Sequence, residues 1–155
     1  MAKTIEQWLQ EYGQSHVNRT NKIIHFICVP AIFWSIVGLL YSLSAGFTVA
    51  GVPLTSAHLT LALLLIYYSF LSTSLSIGMA VFGLICLTIC NALQTIGFTL
   101  WKLSLIVFAV GWIGQFIGHK IEGKKPSFLK DIQFLLIGPA WILSHLYKKA
   151  GITLN

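Results

Sequence analysis

Two short polar segments carry most of the chemistry this chain offers. His16-Val-Asn18-Arg19-Thr20-Asn21-Lys22-Ile-Ile-His25 stands near the start and Gly118-His119-Lys120-Ile-Glu122 near the end, and between His25 and His119 the only formally charged residue is Lys102. Three imidazoles and a carboxylate suit a divalent transition metal, with iron, zinc and manganese all compatible with the ligand types. The same histidines have a simpler use at a membrane surface, as hydrogen-bond partners of backbone or lipid headgroups. The residue types alone leave both uses open.

The elements that must position these groups are set by composition. The 155 residues are 56% hydrophobic and 9% charged, more apolar than one soluble core requires. Spans of roughly 20 apolar residues are expected at Ile23 to Leu43, Leu54 to Leu71, Leu75 to Ala92 and Thr95 to Ile117. The fold class is therefore all-α: one integral-membrane helical bundle over residues 1–155. Ile5, Trp8, Leu9 and Tyr12 recur at helical spacing, so the start reads as an amphipathic helix, on the membrane surface or packed on its own bundle. No cleavable signal precedes the first span. The apolar stretch Ile132 to Leu146 is interrupted by Gly138-Pro139 and reads as a short re-entrant or in-plane helix, with a fifth span as the alternative.

Orientation follows from basic residues. Lys3, Arg19 and Lys22 precede the first span and Lys120, Lys124, Lys125 and Lys130 follow the fourth, so both polar segments are expected to face the cytoplasm. The host membrane would be a bacterial inner membrane or an internal eukaryotic one such as the endoplasmic reticulum. The uncharged loop around Gly46 to Pro53, with a turn at Gly51-Val-Pro53, belongs to the other side. The net charge of +6 reports this asymmetry and contact with anionic lipid, and no nucleic acid is expected as a partner.

In this arrangement His25 and His119 lie at similar depth. Nine residues of continuous helix turn the chain by about 900°, so His16 would face away from His25 unless the helix breaks. Asn18, Thr20 and Asn21 supply capping and turn chemistry for a break with a restart at Asn21. Glu122 follows His119 by three residues and shares its face if the helix continues. His58 belongs to the outer side. His145 lies near Trp141 and Tyr147 in the tail and approaches the cluster only if that tail folds back. Cys28, Cys86 and Cys90 lie in apolar segments without metal-site spacing and are assigned to packing.

Trp8-Leu9-x-x-Tyr12, His16-x-Asn18-x-x-Asn21-Lys22-x-x-His25 with Pro30, and Gln115-Phe-Ile-Gly118-His119 with Glu122 and Pro126 together resemble the 2-hydroxy fatty acid dioxygenases, a family of small membrane proteins. The chain departs from the family pattern at Cys28, where glycine is expected, and at Ser127, where alanine is common. The resemblance implies an iron(II)-dependent dioxygenase that shortens a long-chain 2-hydroxy fatty acid by one carbon with release of carbon dioxide. Dioxygen and the fatty acid would be its substrates and membrane lipid its surroundings. It places the catalytic and metal-binding groups at His16, His25, His119 and Glu122. The ligands would be the three histidines, with Glu122 orienting an imidazole, or Glu122 would replace His16 in a two-histidine, one-carboxylate set. Asn18, Arg19, Asn21 and Lys22 are the candidates for binding the substrate carboxylate. A small transporter or proton-coupled carrier whose histidines titrate during transport is the competing expectation.

Overall fold

The computed structural model describes residues 3–123 and 128–154, with the backbone alone from 128 to 135. Among the described residues the helices are α1 (Ile5–Gln14), α2 (Arg19–Tyr41), α3 (Ser56–Leu71), α4 (Thr73–Thr95), α5 (Leu100–Glu122) and α6 (Phe128–Ala150). A hairpin of β1 (Ser44–Val49) and β2 (Val52–Thr55) joins α2 to α3. Lys124 and Lys125, which contributed to the orientation argument, lie outside the described residues, as do Pro126 and Ser127 and the side chain of Lys130.

The side chains are arranged for an apolar solvent. Helices α2, α4 and α5, each of 23 residues, are long and apolar enough to cross a membrane. Ile27, Leu63, Phe70, Val81, Leu84, Ile106 and Val110 face outward, while Asn21, His25, Ser35, Ser104 and Gln115 are buried. Helix α3 is also apolar but has 16 residues, about 24 Å at 1.5 Å per residue, short of a hydrocarbon core of about 30 Å. The expected span was longer because it included Leu54 and Thr55, whose backbone pairs in β2 instead. The hairpin turns at Ala50 and Gly51, whose φ values of 51° and 78° are both left-handed, as a primed two-residue turn requires. Val52 and Pro53, expected within the turn, belong to the strand.

Helices α2 and α5 form the spine. Small residues on α5 let the two backbones approach: a Cβ on Gly118 would lie 2.4 Å from Asn21 Oδ1, one on Gly114 2.5 Å from Cys28 Sγ, and one on Gly111 2.6 Å from Ile32. Further along, Gly38 of α2 faces Ser104 of α5. Residue numbers rising on one helix as they fall on the other define an antiparallel pair, joined by the close packing that association in lipid relies on. The pairing of Cys28 with Gly114 explains how a thiol fits where glycine was expected. This register also brings the end of α5, with His119, beside the start of α2, with His25.

Helix α6 lies across that same end. The Tyr68 hydroxyl, near the end of α3, donates to the Leu136 carbonyl. The Tyr147 hydroxyl donates to Ser74 O at the start of α4, 2.7 Å away, and Gly138 faces Val29 and the Tyr12 hydroxyl. All these partners are at the α2-start end, so α6 caps the bundle rather than running its length, in keeping with an in-plane segment. It is nevertheless a 23-residue helix, longer than the apolar stretch that marked it. Pro139, inside α6, supplies no amide to the carbonyl four residues earlier, so the helix ladder is interrupted next to the Leu136 carbonyl that Tyr68 bonds. Helix α1 packs on this cap: Tyr12, Trp8 and Leu9 join Val29, Ile137, Trp141 and Ile142 in one apolar cluster. The amphipathic start thus packs on its own bundle.

Candidate metal centre

The first helix ends at Gln14 and the next begins at Arg19, so His16 lies in the connection between them. Asn18 caps α2, its Oδ1 accepting from the Thr20 and Asn21 amides at 2.9 and 3.4 Å. The break falls where the polar residues indicated, with α2 starting two residues before Asn21. Freed from helical phase, His16 turns back toward His25, and their ring centroids are 4.1 Å apart. His119, arriving on α5, has its ring centroid 5.1 Å from that of His25 and 5.7 Å from that of His16. One donor nitrogen from each ring lies within 4.8 Å of the others. Two nitrogens on one metal at about 2.1 Å each lie within about 4.2 Å of one another, so small ring movements would bring all three onto one ion.

Backbone contacts orient two of the rings. His16 Nδ1 is 2.6 Å from Tyr12 O, and His25 Nδ1 is 3.0 Å from Asn21 O. A carbonyl only accepts, so each Nδ1 carries the hydrogen and each Nε2 keeps its lone pair, the arrangement that metal-binding histidines use. His16 and His25 are 3% and 1% exposed, while His119 is half-buried. The donor set therefore fits a transition metal in type and, for His16 and His25, in tautomer.

Glu122 is placed differently from the three histidines. Its Oε1 accepts from the Val17 amide at 2.9 Å, and its Oε2 accepts from the Asn18 amide at 3.0 Å and from Asn21 Nδ2 at 2.9 Å. The Asn21 amide group also reaches Ser15 O at 3.3 Å. One carboxylate thus pins the whole connection to the end of α5, with its negative charge at the positive N-terminus of α2. Glu122 lies outside the group of converging donors, and these hydrogen bonds run to the connection that carries His16. Among the proposed carboxylate-binding residues, Asn18 and Asn21 serve this connection. Arg19 and Lys22 are on the first turn of α2, exposed and half-buried respectively.

Aromatic side chains wall the cluster. The Tyr12 ring stacks on His16, centroids 4.2 Å apart and 11° from parallel, and Trp141 stands 5.5 Å from His16. Sequence reasoning missed Trp141, which becomes part of the site only because α6 folds back. The available signal was Gly138-Pro139, two poor helix formers followed by a large aromatic. His145 does approach, with its ring 4.2 Å from Trp141 and its Nδ1 2.9 Å from Trp141 O, but it lies outside the converging group. His58 is at the hairpin end, its Nδ1 accepting from the Thr55 amide at 3.2 Å in a cap of α3. Cys28, Cys86 and Cys90 are free thiols, the last two buried.

Comparison with known proteins identifies the family. A family model described as 2-hydroxy-palmitic acid dioxygenase Mpo1-like matches residues 2–150. The chain is also 28% identical over 142 residues to the 2-hydroxy-palmitic acid dioxygenase MPO1 of Saccharomyces cerevisiae, a match covering 90% of this chain and 78% of that protein. No solved structure matches.

Proposed function

The chain belongs to the Mpo1-like family, and we propose that it is an iron(II)-dependent dioxygenase that converts a long-chain 2-hydroxy fatty acid to the acid one carbon shorter. The convergence of three imidazole donors within 4.8 Å at one end of an apolar bundle carries this reading. In the overall reaction R–CH(OH)–COOH and O2 give R–COOH, CO2 and H2O. The C1–C2 bond breaks, and the four electrons lost by the acid are the four that dioxygen takes up, so no further reductant is needed.

Iron(II) held by His16, His25 and His119 would supply the single-electron chemistry with dioxygen that amino-acid side chains lack. The chain's own residues do the rest. Tyr12 O and Asn21 O hold two imidazoles in the ligating tautomer. Glu122 keeps His16 in reach by fixing the connection through Val17, Asn18 and Asn21. Arg19 and Lys22, on the first turn of α2, would attract the substrate carboxylate. Tyr12 and Trp141 keep bulk water from the rings. The alkyl chain would enter from lipid between the helices, each buried methylene contributing about 0.8 kcal/mol, which favours long-chain acids.

The test is direct. Purified protein loaded anaerobically with iron(II), then given oxygen and 2-hydroxypalmitic acid, should yield the acid one carbon shorter and carbon dioxide in equal amounts. His25→Ala and His119→Ala should yield neither. Full activity in those variants, or a folded wild type that is inert with iron and substrate present, would contradict the proposal.

A further inference from the structure

Gln115 is 6% exposed, and its Nε2 has no hydrogen-bond partner. A buried amide nitrogen left unpaired costs roughly 1–3 kcal/mol, more than most positions tolerate without a use. Its neighbours indicate that use. Gln115 precedes His119 by one helical turn, and side chains four apart on a helix share a face at about 5–6 Å. The flanking Gly111 and Gly118 both face α2, and a Cβ on Gly118 would be 3.4 Å from the His25 ring. Gln115 therefore belongs to the α2-facing stripe of α5, one turn deeper in the bundle than His119.

We infer that the Gln115 carboxamide hydrogen-bonds the 2-hydroxyl of the fatty acid and so selects 2-hydroxy acids over unsubstituted ones. This rests on the dioxygenase reading of the site. The carboxylate of a fatty acid drawn to Arg19 and Lys22 would lie toward the start of α2, while the substituent on C2 would lie one bond closer to the tail and to Gln115. A hydroxyl both donates and accepts, so it pairs with either end of a carboxamide, whereas a carboxylate pairs only with the N–H. An unsubstituted acid would leave the amide buried and unpaired, and sites built to bond a hydroxyl discriminate strongly against analogues lacking it. The arrangement also gives the ligand-free protein an unsatisfied group, so removing that group should not weaken the fold.

Anaerobic binding separates this from a structural role. Iron-loaded wild type, Gln115→Met and Gln115→Asn would be titrated with 2-hydroxypalmitic acid and with palmitic acid, with iron content and ligand-free Tm measured alongside. Gln115→Met should narrow the preference for the 2-hydroxy acid about tenfold, equivalent to about 1.4 kcal/mol, by weakening that ligand alone. Iron content should stay the same and Tm should be unchanged or higher. Gln115→Asn, which keeps an amide on a shorter stem, should recover part of the preference, and Gln115→Leu repeats the test with different packing if the methionine variant folds poorly. An unchanged preference in the variants lacking the amide, or equal weakening of both acids, would overturn the inference. A wild type that holds no iron, or that binds both acids alike, would instead overturn the proposed function beneath it.

Discussion

His25 and His58 occupy comparable places, each within the first two turns of an apolar helix, yet their surroundings share little. His58 is held by Thr55, three residues away, and lies beside the Tyr41 ring at 5.8 Å. His25 is 1% exposed and sees His16 from the preceding connection, His119 from α5 and Tyr12 from α1. His58 draws these contacts from Thr55 and Tyr41, near it in sequence, whereas the site end is assembled from segments about 100 residues apart. A histidine that merely caps a helix needs no such convergence. Gathering three imidazoles in an apolar interior is costly unless something binds them, and this cost separates a candidate metal centre from a helix cap.

The largest difference between the two ends should appear when the imidazoles are removed. His25→Ala or His119→Ala should lower iron affinity beyond the roughly 10–100-fold that supporting residues command, while His58→Ala should leave iron content and turnover unchanged. Equal effects at the two ends, read by elemental analysis, would erase the distinction.

Close packing gives a second contrast. Gly118→Ala places a methyl 2.4 Å from Asn21 Oδ1, forcing α5 from α2, with a cost of about 1–3 kcal/mol and weaker iron binding. Gly46→Ala, at φ +81° with nothing within 4 Å, meets only backbone strain of about 1–2 kcal/mol and should spare the metal. Thermal unfolding with and without iron separates the two: the stabilisation conferred by iron should shrink only for Gly118→Ala.

The smallest effect concerns two tyrosines. Tyr68→Phe removes the hydroxyl bond to the Leu136 carbonyl and loosens α6, at a cost of about 1 kcal/mol. Tyr41→Phe loses an exposed bond to Asn91 and should change Tm less. The reverse order would show that α6 is not anchored through Tyr68.

Much of the site end was legible because its chemistry is concentrated in short polar runs. Asn18 and Thr20 marked a helix break, and once a break was allowed His16 could face His25. The shared depth of His25 and His119 followed from alternating helices. What could not be read depended on long-range packing. No local pattern states that Trp141 returns to within 5.5 Å of the His16 ring, or that Glu122 spends its oxygens on the amides of Val17 and Asn18 rather than on an imidazole. The hairpin escaped because Leu54 and Thr55 continue an apolar run that hydropathy cannot divide, while the turn depends on left-handed φ at Ala50 and Gly51. Gln115 stood in the motif, but its burial becomes visible only when α5 is seen against α2.

Iron stoichiometry in the wild type, His16→Ala and Glu122→Gln would test most directly whether the three histidines form the metal centre. The wild type should hold one iron per chain. His16→Ala should hold almost none, and Glu122→Gln should keep its iron with lower affinity because only the support of the connection is weakened. A folded wild type without iron, or a Glu122→Gln protein that loses its metal while His16→Ala retains it, would contradict the three-histidine centre.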